Sequence, residues 1–249
     1  MKPIIMKKLL LLFTIFYAST SFAQKDPRFY TIRYTTTNST GTSGAFSGND
    51  SIFIWNEGSN TKVFNYQRNV YHSDISGFSS KDFAETDEYI YSINNGNFKR
   101  LNLKTMNVQS LQNFPGCNSA EIIALNNDSI YAFGGSGSNC NKVYLYRASS
   151  NSWTLEQSNA PIGGVALSLT KHQGIIYVGG GKSTFSNPNG TTSYSTNDNI
   201  YKFLHQLKGF SQIGTPAKAV SYAYNSNEQF FSYNDTLWTV QYLWYTGQG

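Results

Sequence analysis

The chain has 249 residues with 19 basic and 14 acidic side chains, enough to bury a substantial core in one or two domains. Only 13% of residues are charged, while Gly (21), Tyr (18) and Phe (17) abound, which excludes coiled coil and generic disorder and favours strands. Lys2, Lys7 and Lys8 fall in the first 23 residues; without them the formal charge drops from +5 to +2, and nucleic acid loses its electrostatic basis as a partner.

In chain order, Lys7-Lys8 precedes an apolar stretch from Leu9 to Ala18, and Ser21-Phe22-Ala23 then offers small residues at the positions a leader peptidase reads. Residues 1–23 are therefore expected to be a signal peptide, because about ten apolar residues fall short of the roughly 18 to 20 that cross a bilayer. No later segment is apolar enough to span, so residues 24–249 are expected to form one secreted or periplasmic domain in an oxidising compartment.

Past this leader the chain repeats. Turn triplets precede short β-branched and aromatic runs: Asn49-Asp50-Ser51 before Ile52–Trp55, Asn127-Asp128-Ser129 before Ile130–Phe133, and Asn234-Asp235-Thr236 before Leu237–Val240. Weaker copies are Thr86-Asp87-Glu88 before Tyr89–Tyr91 and His172-Gln173-Gly174 before Ile175–Val178. The runs begin at 52, 89, 130, 175 and 237, spacings of 37, 41, 45 and 62, the size of propeller blades. Asn and Asp tolerate a left-handed backbone and bond their own main chain, which predicts hairpin turns at these triplets; their match to Asn-X-Ser/Thr glycosylation acceptors explains the placement less well. Each run is apolar on consecutive positions, so both faces of the strand should be covered. Further strands are predicted before the turns (Glu121–Leu125, Val165–Leu169) and after them (Lys142–Tyr146, Asn199–Phe203), and nothing beyond the leader has helical spacing. An all-β propeller of about five units, four antiparallel strands each, satisfies these demands.

The third and fourth units resemble kelch repeats: several apolar residues, a Gly pair, then an aromatic with a Trp about seven positions on. The third reads Ile130–Phe133, Gly134-Gly135, then Tyr146 and Trp153; the fourth reads Ile175–Val178, Gly179-Gly180, then Phe203 and Phe210, with Phe replacing Trp. The other units carry Asn56-Glu57, Ile93-Asn94 and Gln241-Tyr242 where the Gly pair would stand. The resemblance implies a β-propeller and no particular activity. On physical grounds the Gly pair should permit positive φ and close backbone approach, while Tyr146 and Trp153 should pack blades together. Kelch propellers usually have more than five blades, and the fifth unit stops soon after its Leu237–Val240 strand. Either Phe29–Tyr34 supplies an outer strand that closes the ring, or the chain is a fragment.

In such a blade the loop entering the first strand and the loop joining the second and third emerge on one face. That arrangement brings Cys117 and Cys140 together, and a disulfide between them is expected. Gly179-Gly180-Gly181-Lys182-Ser183-Thr184 lacks the glycine spacing and following helix of a phosphate loop. His72, His172 and His205 are assigned to three separate blades as surface or loop residues, so no metal site and no cofactor is expected. Copper-radical oxidases of related architecture use a Cys–Tyr cross-link with His ligands, and sugar mutarotases or epimerases use channel carboxylates and arginines; no catalytic residue matches either pattern here.

The fourth unit is expected to carry a long irregular polar loop from Lys182 to Asp198, where the third unit's corresponding loop runs only from Ser136 to Asn141. Its Lys182, Phe185, Asn187 and Tyr194 combine flat apolar area with directional polar groups, the composition of a protein- or glycan-binding surface. The expected function is non-catalytic binding of a protein or glycan by a monomer. Two alternatives stand beside it: a carbohydrate-active enzyme of the mutarotase, epimerase or oxidase kind, and a scaffold segment of a larger envelope protein.

Overall fold

Every one of the five predicted runs becomes the second strand of a separate antiparallel sheet. The computed structural model describes residues 46–48, 52–57, 60–65, 70–78, 82–118, 120–135, 140–186, 192–196, 199–214, 227–233 and 236–242. The proposed leader at 1–23, the Phe29–Tyr34 run and the turns at 49–51 and 234–235 lie outside the described residues.

The first sheet orders β1 (Phe46–Gly48), β2 (Ile52–Glu57), β3 (Asn60–Asn65) and β4 (Val70–Ile75) side by side. The second orders β5 (Phe83–Glu85), β6 (Tyr89–Asn94), β7 (Asn97–Asn102) and β8 (Val108–Ser110), and the third β9 (Glu121–Asn126), β10 (Ser129–Phe133), β11 (Val143–Arg147) and β12 (Ser152–Gln157). The fourth contains β13 (Val165–His172), β14 (Ile175–Ser186), β16 (Ile200–Leu204) and β17 (Gly209–Gly214), with β15 (Thr192–Thr196) also on β14. The fifth pairs β18 (Asn227–Tyr233) with β19 (Thr236–Tyr242). First strands neighbour one another in succession, β1 beside β5, β5 beside β9, β9 beside β13 and β13 beside β18, which arranges the sheets as blades about a common axis.

Burial explains the uninterrupted apolar runs. The core lies between blades: Ile52, Ile54 and Val63 of the first meet Phe83, Ile90 and Leu101 of the second. Tyr91, Ile93 and Phe98 meet Ile122, Ile130 and Tyr146 of the third, and Tyr131, Phe133 and Val143 meet Ile176, Val178 and Phe203 of the fourth. A middle strand is thus covered on both faces, and β10 is buried at all five positions.

The seven-residue interval of the kelch pattern has a direct geometric meaning. Tyr146 lies opposite Trp153 across β11–β12, and Phe203 opposite Phe210 across β16–β17. Both pairs face the preceding blade: Trp153 lies 4.8 Å from the rings of both Phe98 and Phe114 and 5.2 Å from Tyr146, while Phe210 lies 5.0 Å from Phe203 and 6.5 Å from Phe133. Trp153 is half-buried, its Nε1 donating to the Gln112 carbonyl at 3.1 Å. Tyr146 is fully buried, donates to Asn151 Oδ1 at 2.8 Å, and burial pushes its phenol up to about 12.

The turns behave differently from expectation at the third unit. Asn95-Gly96 and Gln173-Gly174 form two-residue reversals with positive φ at both positions, which matches the right-handed twist of the flanking strands. Asn127 and Asp128 do not enter the left-handed region. A register shift between Ser129 and Ile130 lies beside that turn, and such a bulge adds local twist. The side chains of the turn serve other ends. Asp128 N donates to Asn126 Oδ1 at 3.0 Å, and Asp128 Oδ1 accepts from Ser149 N at 2.7 Å, which holds the Asp128 carboxyl below its ordinary range. Asn127 exchanges two hydrogen bonds with Asp87 in the equivalent turn of the second blade, at 2.6 and 3.1 Å.

Candidate functional site

The face on which first strands begin and second strands end is tied in the third blade by a disulfide and by main-chain hydrogen bonds. Cys117, ahead of β9, is bonded to Cys140, between β10 and β11, with the two Cα atoms 5.8 Å apart. Gly134 and Gly135 adopt φ of +65° and +120° beside this link. A Cβ on Gly135 would stand 2.6 Å from Cys117 Cβ and 2.8 Å from the Asn118 carbonyl oxygen; one on Gly134 would stand 2.5 Å from the Gly164 oxygen. The Gly pair therefore permits both the backbone conformation and the close approach. Gly135 N donates to the Gly164 carbonyl at 2.7 Å, and Ala160 N to the Asn141 carbonyl at 2.7 Å, which fastens the β12–β13 connection to the disulfide loop.

The second Gly pair has a different setting. Gly179 sits within β14 opposite both Ser168 and Ile200, and Gly180 opposite Leu167, so the following Gly181-Lys182-Ser183-Thr184 run is extended strand, the wrong shape for a phosphate loop. The polar segment after Lys182 is no irregular loop in its first part. β14 continues to Ser186 and β15 returns along it, pairing Ser186 with Thr192 and Lys182 with Thr196. Lys182 also faces Val165, the first residue of β13, so the ribbon runs about 13 Å past the start of β13 at the usual rise per strand residue.

Of the residues predicted to bind, Lys182 falls at the base of this ribbon and Phe185 and Tyr194 within it, while Asn187 lies outside the described residues. The register places Phe185 opposite Ser193 and Tyr194 opposite Thr184, two successive rungs of the ladder. The histidine assignment needs correction: His72 lies in β4, but His172 ends β13 and His205 follows β16, so two of the three belong to the fourth blade. Both stand at the same end of that blade, with β14 between the strands that carry them. No group of three or more metal-ligating side chains occurs among the described residues.

Asp82 was not singled out by any motif. It immediately precedes β5, accepts from Phe83 N at 2.9 Å through Oδ1, and accepts from Ile122 N of β9 at 2.9 Å through Oδ2. Its carboxyl thus joins the first strands of two blades and also shares a hydrogen bond with the Glu121 carboxyl. Burial raises its pKa from 3.8 to about 6, against the lowering influence of these hydrogen bonds. An Asp before an apolar strand start is common, and its partner lies 40 residues away, so only the packing of blades reveals the pair.

No protein-family model matches the chain, and no curated protein matches it. Among solved structures it is similar to YjhT, a kelch-repeat β-propeller, at 20% identity and a TM-score of 0.50, the match covering 64% of this chain and 55% of the YjhT chain. Identity at that level speaks to the fold alone. With blades about an axis, opposed Tyr146–Trp153 and Phe203–Phe210 pairs and a Gly pair at positive φ after β10, the chain has a β-propeller fold with kelch-like blades.

Proposed function

We propose that this protein is an extracytoplasmic, non-catalytic propeller that binds a glycan or polypeptide on the face bearing the β14–β15 ribbon. The ribbon carries the reading: a blade hairpin has been extended outward from a face otherwise held by a disulfide and short loops. Its sequence from Lys182 to Thr196 combines Ser, Thr and Asn with Phe185 and Tyr194 and contains a single ionisable side chain other than tyrosine, Lys182. Such a surface suits hydroxyl-rich or main-chain ligands, which are neutral and directional, better than strongly charged ones. The disulfide supports an oxidising compartment, and no helix among the described residues is long and apolar enough to cross a membrane.

Glycan-array and peptide-array binding by the processed protein tests this reading. A hit retained by wild type should be lost on Phe185→Ala/Tyr194→Ala replacement, with the thermal midpoint unchanged. Retention by the double variant, and by a second variant whose ribbon is trimmed to Lys182, would overturn it.

One observation favours a second reading, a carbohydrate-active enzyme of the mutarotase, epimerase or oxidase kind. The Asp82–Glu121 carboxyl pair, with its proton held toward neutral pH, has the acid–base character such chemistry needs. Turnover in reducing-sugar or peroxide assays that disappears in Asp82→Asn would support that reading; absence of turnover across a sugar panel would favour binding alone.

A further inference from the structure

β14 outruns the first strand of its own blade. On one side its outer part is paired with β15 throughout, from Lys182 opposite Thr196 to Ser186 opposite Thr192. On the other side β13 begins only at Val165, opposite Lys182, so residues 183–186 continue with no strand beside them on that side among the described residues. The segment that would have covered them is held elsewhere. Ile162 is buried in the core between the third and fourth blades, and Ala160 N donates to the Asn141 carbonyl. Gly164 turns at φ +88°, its carbonyl accepting from Gly135 N. The chain therefore reaches Val165 from the third blade instead of running in along β14.

An uncovered strand edge presents the N–H and C=O groups of every second residue in a row, and native proteins blunt such edges with lysine, proline, bulges or inward charges. Residues 183–186 carry none of these devices. They read Ser183-Thr184-Phe185-Ser186 and pair with β15 in unbroken register; Lys182 stands before them and Pro188 after them. A two-stranded ribbon is marginal in water, so a third strand adds stability as well as contacts.

We propose that this edge takes up an extended polypeptide segment as an added strand, antiparallel to β14 and in line with β13. The inference rests on the ribbon-face reading above and narrows its ligand to a polypeptide. A row of main-chain donors and acceptors repeating at every second residue matches another main chain, whereas the hydroxyls of a sugar have no such period. The edge carries no charge, so the entering segment is uncharged, and its paired residues must donate N–H groups, which excludes proline there. A second copy of the chain does not suit the edge: four residues of strand fall far short of the roughly 1,200 Å² that a stable pair buries, an area that transient strand addition does not need.

The test is an array of end-capped, uncharged hexapeptides of Ser, Thr, Val and Tyr, probed with the full processed chain. A hit N-methylated at alternate positions should weaken by at least about tenfold in one phase and hold its affinity in the other, because only one edge of an added strand is paired. In the protein, amide hydrogen exchange at every second residue of 183–186 should slow by at least about tenfold when the hit is added. No hit, a hit that treats both phases alike, or unchanged exchange at these amides overturns the proposal. Slow exchange without peptide, together with a dimer in sedimentation, would make a second copy the occupant and overturn it too. The wider reading fails separately: a glycan hit lost in Phe185→Ala/Tyr194→Ala with no peptide hit sinks strand addition alone, whereas peptide binding that survives trimming of the ribbon to Lys182 sinks both.

Discussion

Replacing Gly135 by Ala examines the link between backbone conformation and the tied face most directly. At φ +120° an L-residue is strained by about 1–3 kcal/mol, and the new methyl would stand 2.6 Å from Cys117 Cβ and 2.8 Å from the Asn118 oxygen. Neither neighbour can withdraw easily, since Cys117 is held by its disulfide and Asn118 is main chain, so overpacking adds about 1–3 kcal/mol. The expected destabilisation is about 4 kcal/mol. Gly174→Ala is the control: its φ is +74° and nothing lies within 4 Å of the added methyl, so only a conformational penalty of about 1 kcal/mol applies. Urea unfolding of both variants, with thiol titration to verify the disulfide, gives the comparison. A Gly135→Ala protein within about 1 kcal/mol of the Gly174→Ala protein would refute the close-approach reasoning, because the two differ chiefly in what the methyl meets.

Trp153→Ala should destabilise by about 2–4 kcal/mol, somewhat below a fully buried Trp because the ring is half-exposed, and Trp153→Phe by about 1 kcal/mol for the lost bond to Gln112; near-wild-type melting of the Ala variant would remove Trp153 from the blade seam. Since the Asp82 carboxyl is raised from 3.8 to about 6, folding favours its protonated form: that contribution is complete below pH 3.8 and is lost as pH rises through about 6. Asp82→Asn should flatten the stability profile over this window, and an unchanged slope would show that another group controls it. Cys117→Ser/Cys140→Ser should lower stability by roughly 3 kcal/mol through the reopened loop of 23-residue separation; a loss below about 1 kcal/mol in denaturant titration would show that Gly135 and Asn141 hold the face unaided.

Strand identity, repeat count and the disulfide were legible because each rests on local chemistry or on a repeated spacing. The consecutive apolar positions of Ile130–Phe133 announced a strand covered on both faces, and the Tyr146–Trp153 interval already contained a four-residue turn that brings the two rings opposite one another. Inter-blade chemistry was invisible by the same logic. Asp82 and Ile122, like Asp87 and Asn127, are separated by 40 residues, and no periodic signal distinguishes a polar side chain that crosses a seam from one that meets water. The polar segment after Lys182 looked irregular because its Asn, Pro and Gly carry weak strand preference, whereas pairing with β15 lets the main chain of β14 continue as strand.

Composition and local pattern by themselves determined an all-β chain of five short-stranded units, since turn residues and apolar runs act through neighbours in sequence. Only the tertiary structure decided that Tyr91 is buried against Tyr146 of the next blade, that Asp82 reaches the first strand of the next blade, and that the second Gly pair lies in a strand while the first terminates one. Burial, charge compensation and steric approach depend on which surfaces meet, and in a propeller those surfaces belong to successive blades about 40 residues apart.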